Sequence, residues 1–145
     1  MIKFYFHPTP NPMKVALCLE ELALPYELIP VDTLKGQQHT AEYRVINPNG
    51  KAPSIVDNGK RVFDSNAILM YLSEKTGALA GKTEDRSEML SWLMFLATGL
   101  APFSGQSVHF RHAAPEQVPY AINRYLFEAK RHYQVLEIHM EGREY

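Results

Sequence analysis

A single cysteine, Cys18, stands among the 145 residues of this chain. One cysteine cannot close an internal disulfide, so no disulfide framework supports the fold, and a reducing compartment is expected. Charge of one sign is also missing: 15 lysines and arginines balance 16 aspartates and glutamates, for a formal net charge of −1. Without a basic block, neither nucleic acid nor an anionic membrane is an expected partner. No run approaches the ~20 apolar residues of a membrane-spanning helix. The aromatic opening Ile2–Phe6 is interrupted by Lys3 and lacks a small-residue cleavage site, so it does not read as a secretory signal. These absences lead to the expectation of a cytoplasmic protein.

What is present is core-forming material. Apolar residues make up 46% of the chain and aromatics 11%, which excludes a disordered polypeptide. The length suits one ordinary domain, or a small domain with part of a second. Ile2–Phe6 reads as a strand. His7-Pro8-Thr9-Pro10-Asn11-Pro12 reads as a stiff turn, because proline fixes φ and removes a donor. Met13 to Leu22 contains good helix formers and ends ahead of Leu24-Pro25. Tyr26 to Val31 is a second strand, Asp32 to Thr40 a loop, and Ala41 to Ile46 a short helix. After the turn Asn47-Pro48-Asn49-Gly50, Ser54–Asp57 and Lys60–Phe63 flank Asn58-Gly59, a strong hairpin signal. Asp64 caps a helix running to about Thr76, with Gly77 beyond its end.

The order is thus β-α-β-α-β-β-α over residues 1–77. A linker-like stretch, Gly77 to Thr83, follows, and then only helical patterns. Glu84 to about Leu100 carries Leu90, Leu93, Met94 and Ala97 at helical spacing, with Gly99 and Pro102 disrupting it. Ser104 to Gln117 reads as irregular. Pro119 opens a long helix to about Gly142, with an apolar stripe of Ile122, Leu126, Ala129, Tyr133, Leu136 and Met140.

Three places carry chemistry. At the first, a strand and a rigid turn lead into a helix whose N-terminus offers free N–H groups and a partial positive charge, which suits an anion. A thiolate held there has a lowered pKa. Pro10 and Pro12 donate no N–H, so the side chains of Thr9 and Asn11 gain importance; taken alone, both also read as turn and cap formers. At the second, Lys51-Ala52-Pro53 precedes a strand. A cis Ala52–Pro53 bond would let the Ala52 backbone face outward and pair with an extended peptide, although spacing alone favours trans. At the third, Asp64-Ser65 opens a helix: Ser65 suits a carboxylate and Asp64 an ammonium, so an amino-acid head group fits, as does a plain N-cap.

In order and spacing, Phe4-x-Phe6-x-Pro8-Thr9-Pro10-Asn11, Leu19-Glu20-Glu21-Leu22, Asn47-Pro48-x-x-Lys51-Ala52-Pro53 and Phe63-Asp64-Ser65-x-Ala67-Ile68-x-x-Tyr71-Leu72 resemble the glutathione S-transferase N-terminal domain. The resemblance continues through Pro119-Tyr120-Ala121-Ile122-Asn123-Arg124-Tyr125 to Leu136. The Thr-Pro-Asn turn looks most like the bacterial nu class, which implies glutathione-dependent disulfide oxidoreduction. The resemblance implies a thioredoxin-like α/β domain over residues 1–77 and an incomplete all-α domain over residues 84–145. It implies that Thr9 and Asn11 contact the glutathione sulfur, that Ala52 before a cis Pro53 pairs with the cysteinyl backbone, and that Asp64 and Ser65 hold the γ-glutamyl head. Gln38 and Lys51 would lie near the glycyl end. Arg131 matches an active-site arginine of that class, with Lys130 and Arg124 as neighbouring alternatives.

Glutathione is then the cosubstrate, no metal is required, and the expected partners are a small electrophile or disulfide and a second copy of the chain in a homodimer. The family's helical domain runs further, next supplying a Ser/Thr-x-x-Asp capping-box helix. This sequence reaches Arg143-Glu144-Tyr145 just before that segment, so a C-terminally truncated relative with exposed apolar surface, dimerisation or poor stability is expected. A non-catalytic binding module or a truncated gene product is the alternative to an enzyme. Cys18, among Val15, Leu19 and Leu22, reads as core, and no cysteine in the turn argues against a thioredoxin-type or glutaredoxin-type enzyme. His109 and His112 lack a third metal ligand nearby. Trp92, Met94 and Phe95 read as core or dimer surface, and Tyr5, by alternation, as a core residue.

Overall fold

Phe4 is completely buried in the core it shares with Ile55 and Leu72, in a computed structural model that describes residues 1–143. Its strand, β1 (Ile2–Phe6), pairs parallel with β2 (Tyr26–Pro30) and antiparallel with β3 (Ser54–Asp57), which pairs antiparallel with β4 (Lys60–Phe63). The strand order is therefore β2-β1-β3-β4. Helix α1 (Pro10–Glu21) crosses from β1 to β2, α2 (Ala41–Ile46) precedes β3, and α3 (Ser65–Thr76) follows β4. The expected β-α-β-α-β-β-α order is found. The alternation of β1 turns Ile2 and Phe4 to one face. There they pack with Val15, Cys18 and Leu19 of α1, Ile55 of β3, and Ile68 and Leu72 of α3. Phe6 and Tyr26 meet the Phe4 ring edge-on, at centroid distances of 5.5 and 5.8 Å.

Some boundaries differ from the sequence reading. Helix α1 starts at Pro10 rather than Met13, because proline is tolerated in a first turn, where N–H groups have no intrahelical partner. The loop after β2 contains a 3₁₀ turn, Gln37–His39. Tyr5 lies on the sheet face opposite Phe4, half-buried against the Tyr43 ring of α2 at 5.8 Å, and so belongs outside the main core. Asp64 caps α3 and Gly77 closes it in the left-handed region, as its sequence signals require.

At the far end of β3, Asp57 is 2% exposed. It accepts a hydrogen bond from the Tyr71 hydroxyl at 2.8 Å and pairs with Lys75 of α3. The Lys75 bond, joined by that of Tyr71, outweighs burial and holds the carboxyl below the usual range. A depressed folded-state pKa adds stability above the unfolded value, near 4, and loses it as pH falls through the folded one. Asp57→Asn is therefore expected to cost about 1–2 kcal/mol at neutral pH. In urea melts the gap to the parent should close as pH falls below ~4. A gap independent of pH would contradict the ionic role.

Contacts divide the chain into two compact units, one spanning Met1–Thr83 and one starting at Glu84. Glu144 and Tyr145, the end of the expected second domain, lie outside the described residues. In the second unit α4 (Arg86–Phe95) runs through a π-type turn, Leu96–Leu100, into α5 (Ala101–Val108). Another π turn, His109–Ala113, ends it. The expected break at Gly99 and Pro102, and the expected irregular stretch from Ser104, are corrected by this continuous helical path. The first π turn explains it: Ala101 N–H reaches back to the Leu96 carbonyl, so the ladder is reset just ahead of the proline that cannot donate. The path leaves helical geometry at Ala114, which precedes Pro115.

Helix α6 (Pro119–Met140) also differs from expectation. Tyr133 and Met140 of the predicted stripe are 55% and 43% exposed, while Glu128, Ala129 and His132 are buried. The buried face is turned toward polar residues that bring their own partners. Glu128 accepts from Arg124 at 2.8 Å and from Arg131 at 3.0 Å. His132 donates from Nδ1 to the Glu128 carbonyl at 2.7 Å and packs its ring against Phe95 and Phe103. Trp92 stacks on His139 at 3.6 Å and Met94 is exposed. Among the described residues, no helix is long and apolar enough to cross a membrane.

Candidate functional site

The strand register brings the three sequence motifs to one end of the sheet. Tyr5 of β1 pairs with Ser54 of β3, and Ser54 pairs with Phe63 of β4. The end of β1, the start of β3 and the end of β4 are therefore neighbours. The segments beyond them, His7–Asn11, Lys51–Pro53 and Asp64-Ser65, share that edge.

At the end of β1 the turn is pinned from both sides. Thr9 N–H donates to the His7 carbonyl at 2.7 Å, and His7 Nδ1 donates to the Val31 carbonyl at 3.0 Å. Thr9 is the extended N-cap residue of α1, yet its side chain makes no capping bond. The reason is local: the N3 position, one of the two a capping oxygen reaches, is Pro12, which has no N–H. Pro10 at N1 has none either, and Met13 N–H is taken by the Thr9 carbonyl at 3.1 Å. The helix start thus offers the Asn11 N–H, the Asn11 amide and the Thr9 hydroxyl, all on exposed residues. Cys18 lies deeper in α1, and burial pushes its thiol pKa up, which is the opposite of what a nucleophile needs.

The second segment is held by buried polar groups. Asn47, 2% exposed, donates to the Lys51 carbonyl at 2.5 Å and accepts from Asn49 N–H at 2.9 Å. The Tyr43 hydroxyl donates to the same Lys51 carbonyl at 2.8 Å. Gly50 has φ 62°, and a Cβ there would meet the His39 ring at 3.1 Å, so this turn requires glycine. The Ala52–Pro53 bond is cis. Gln38 sits beside this turn, half-buried, with Nε2 donating to the Thr33 carbonyl at 3.3 Å and a buried Oε1 that has no partner among the described residues. Lys51 is exposed.

At the third segment, Asp64 has φ 67° and ψ 126°, a conformation that costs a non-glycine residue about 1–3 kcal/mol. Its Oδ1 accepts from the N–H groups of Asn66 at 2.9 Å and Ala67 at 3.3 Å. It is a true N-cap, and its Oδ2 and the Ser65 N–H are left without a capping role. Ser65 itself is 5% exposed. Two residues that sequence reasoning missed join the first and third segments. Lys14 Nζ donates to Asn66 Oδ1 at 2.7 Å, bridging α1 and α3. The available signal was spacing: Lys14 follows Asn11 by three and so shares its helix face.

Arg131 lies in the second unit, on α6, where its Nε donates to Glu128. That bond is the main reason the Glu128 carboxyl sits below its ordinary pKa. Lys130 and Arg124, the alternatives, lie on the same helix, and Arg124 shares the Glu128 carboxylate.

The family profile of the glutathione S-transferase N-terminal domain matches residues 1–74. The disulfide-bond oxidoreductase YfcG of Escherichia coli is 48% identical over 98% of this chain and 70% of its own. The chain belongs to the glutathione S-transferase family. Its first unit has the thioredoxin-like fold of that family, followed by a helical unit. The Ure2 protein of Meyerozyma guilliermondii is 36% identical over 97% of this chain, which spans 50% of its length. Among solved structures, the glutathione transferase URE2P6 of Phanerochaete chrysosporium, in complex with oxidized glutathione, superposes with a TM-score of 0.91 at 39% identity, over 99% of this chain and 70% of that one. A Burkholderia graminis glutathione transferase with two glutathione molecules bound per subunit has a TM-score of 0.93 at 40% identity, over 99% of this chain and 64% of that one.

Proposed function

We propose that this chain binds glutathione in an extended form and uses its thiolate on an electrophile or a disulfide. The observation that carries the reading is the α1 N-terminus: Thr9 stands at the N-cap with its hydroxyl free of any capping bond, beside the Asn11 N–H and amide. Those donors suit a sulfur anion at a positive helix end. In this reading Ala52, ahead of Pro53, pairs with the cysteinyl backbone, the Ser65 N–H takes the γ-glutamyl carboxylate, and Asp64 Oδ2 takes its ammonium. Gln38 and Lys51 serve the glycyl end; Arg131 enters from the family pattern. The bound glutathione of the URE2P6 and Burkholderia graminis structures supports the ligand, and the activity in the name of YfcG supports the disulfide branch.

The protein supplies position and charge stabilisation, with no nucleophile of its own. In the transferase branch the thiolate displaces a leaving group and forms a thioether. In the disulfide branch it attacks one sulfur of the acceptor, a mixed disulfide forms, and the other sulfur leaves as a thiolate. A second glutathione thiolate then attacks the mixed disulfide, giving oxidised glutathione and the second thiol. Homodimerisation belongs to this reading, and size-exclusion chromatography with light scattering reads it. The deciding assay is steady-state turnover with reduced glutathione and either a small dialkyl disulfide or an activated aryl halide. Faster disulfide reduction is expected; turnover of neither acceptor by protein that binds glutathione would leave only the binding-module alternative.

A further inference from the structure

Lys14 is half-buried, and its ammonium has only donors to offer. The group facing it at 2.7 Å must therefore be the carbonyl oxygen of the Asn66 amide. That settles which way the amide lies, and both Nδ2 hydrogens of Asn66 are left for other partners. Asn66 is the second residue of α3, directly after Ser65, whose N–H is the one first-turn donor that Asp64 does not cap. Asp64 attracts the Lys14 ammonium: burial lowers the Lys14 pKa, and attraction to Asp64 partly restores it. An anion arriving at this helix start meets a compensated pair instead of a lone carboxylate.

We propose that Lys14 is a positioning residue for the γ-glutamyl α-carboxylate, orienting the Asn66 amide as a second donor beside the Ser65 N–H and offsetting the Asp64 charge. The inference rests on the glutathione reading above and adds to it a determinant of head-group specificity. It separates the two charges of the head: the carboxylate depends on Lys14 and Asn66, whereas the ammonium depends on Asp64.

The test compares two ligands by calorimetric titration: reduced glutathione and 4-aminobutyryl-cysteinylglycine, which lacks only that α-carboxylate. Lys14→Met is expected to weaken glutathione binding about tenfold, the worth of a lost charge-assisted hydrogen bond. Its affinity for the decarboxylated analogue should stay within about twofold of the parent value, a change smaller than one such contact is worth. Asn66→Ala should show the same selective loss, the double variant should be no worse than either alone, and Lys14→Arg should restore most of the glutathione affinity. Equal losses for both ligands would mean that Lys14 merely braces α1 against α3, and the proposal falls. It falls too if Lys14→Met, or Asn66→Ala where Lys14→Met does not fold, binds glutathione as the parent does. Failure of the parent protein to bind glutathione would remove the site reading itself, an outcome distinct from both.

Discussion

Replacing Thr9 and Asn11 together by alanine is expected to cut turnover at neutral pH by about 100-fold or more, the usual cost of deleting donors aimed at a reacting anion. Glutathione affinity should change by no more than about threefold, since the proposed backbone and head-group contacts of the peptide are left intact. The asymmetry follows from the helix start. Pro10 and Pro12 strip the first turn of two backbone donors, and Met13 N–H is bonded to the Thr9 carbonyl. In the double variant only the Asn11 N–H would remain to stabilise a thiolate. The pKa of the bound thiol should then rise toward the ~8.5 of a free thiol. Its thiolate fraction at neutral pH falls, and the defect should shrink as the assay is moved above that value. Turnover equal to the parent at neutral pH, or a loss explained wholly by weaker glutathione binding, would contradict the assignment of these two residues.

Gly99→Ala is expected to destabilise the protein by about 2–3 kcal/mol, at the upper end for overpacking. Gly99 is buried in the π turn between α4 and α5. A Cβ there would overlap the His132 imidazole, lying 2.6 Å from its Cδ2 and closer still to Nε2. The ring has nowhere to go. Phe95 and Phe103 lie against it at centroid distances of 5.0 and 5.2 Å, and its Nδ1 is tied to the Glu128 carbonyl. The internal control is Gly105 in α5, where an added Cβ meets nothing within 4 Å. Gly105→Ala should raise stability by about 0.5–1 kcal/mol through helix propensity alone. Thermal melts of the two variants should therefore move in opposite directions. Movement of both in the same direction would show that the His132 packing is not what requires glycine at position 99.

Much of the first unit was legible because its signals are local. The aromatic-rich strand Ile2–Phe6, the Asn58-Gly59 hairpin, the Asp64 cap and the Gly77 stop each depend on a few neighbouring residues, and the structure has each where the sequence puts it. Tyr5 misled because alternation says that faces differ, and not which face holds the larger core. The second unit was less legible. Helix periodicity counts apolar residues, and so it placed Tyr133 and Met140 on the buried face of α6. The buried positions Glu128 and His132 are polar and become tolerable only through Arg124, Arg131 and the aromatic rings around them. Pro102 looked like a helix breaker because a one-residue rule cannot foresee a π turn. The site motifs could be seen, but the Lys14–Asn66 bridge could not: it joins residues 52 positions apart.

The most direct test of the glutathione site is calorimetric titration of the purified chain with reduced glutathione, repeated with Ser65→Pro. That change removes the N–H that we propose takes the γ-glutamyl carboxylate and places proline at the first helical position, which accepts it. Saturable binding by the parent at a defined stoichiometry, weakened at least tenfold in the variant, is the expected result. A folded parent that takes up no glutathione, or a variant that binds as tightly as the parent, would contradict the site.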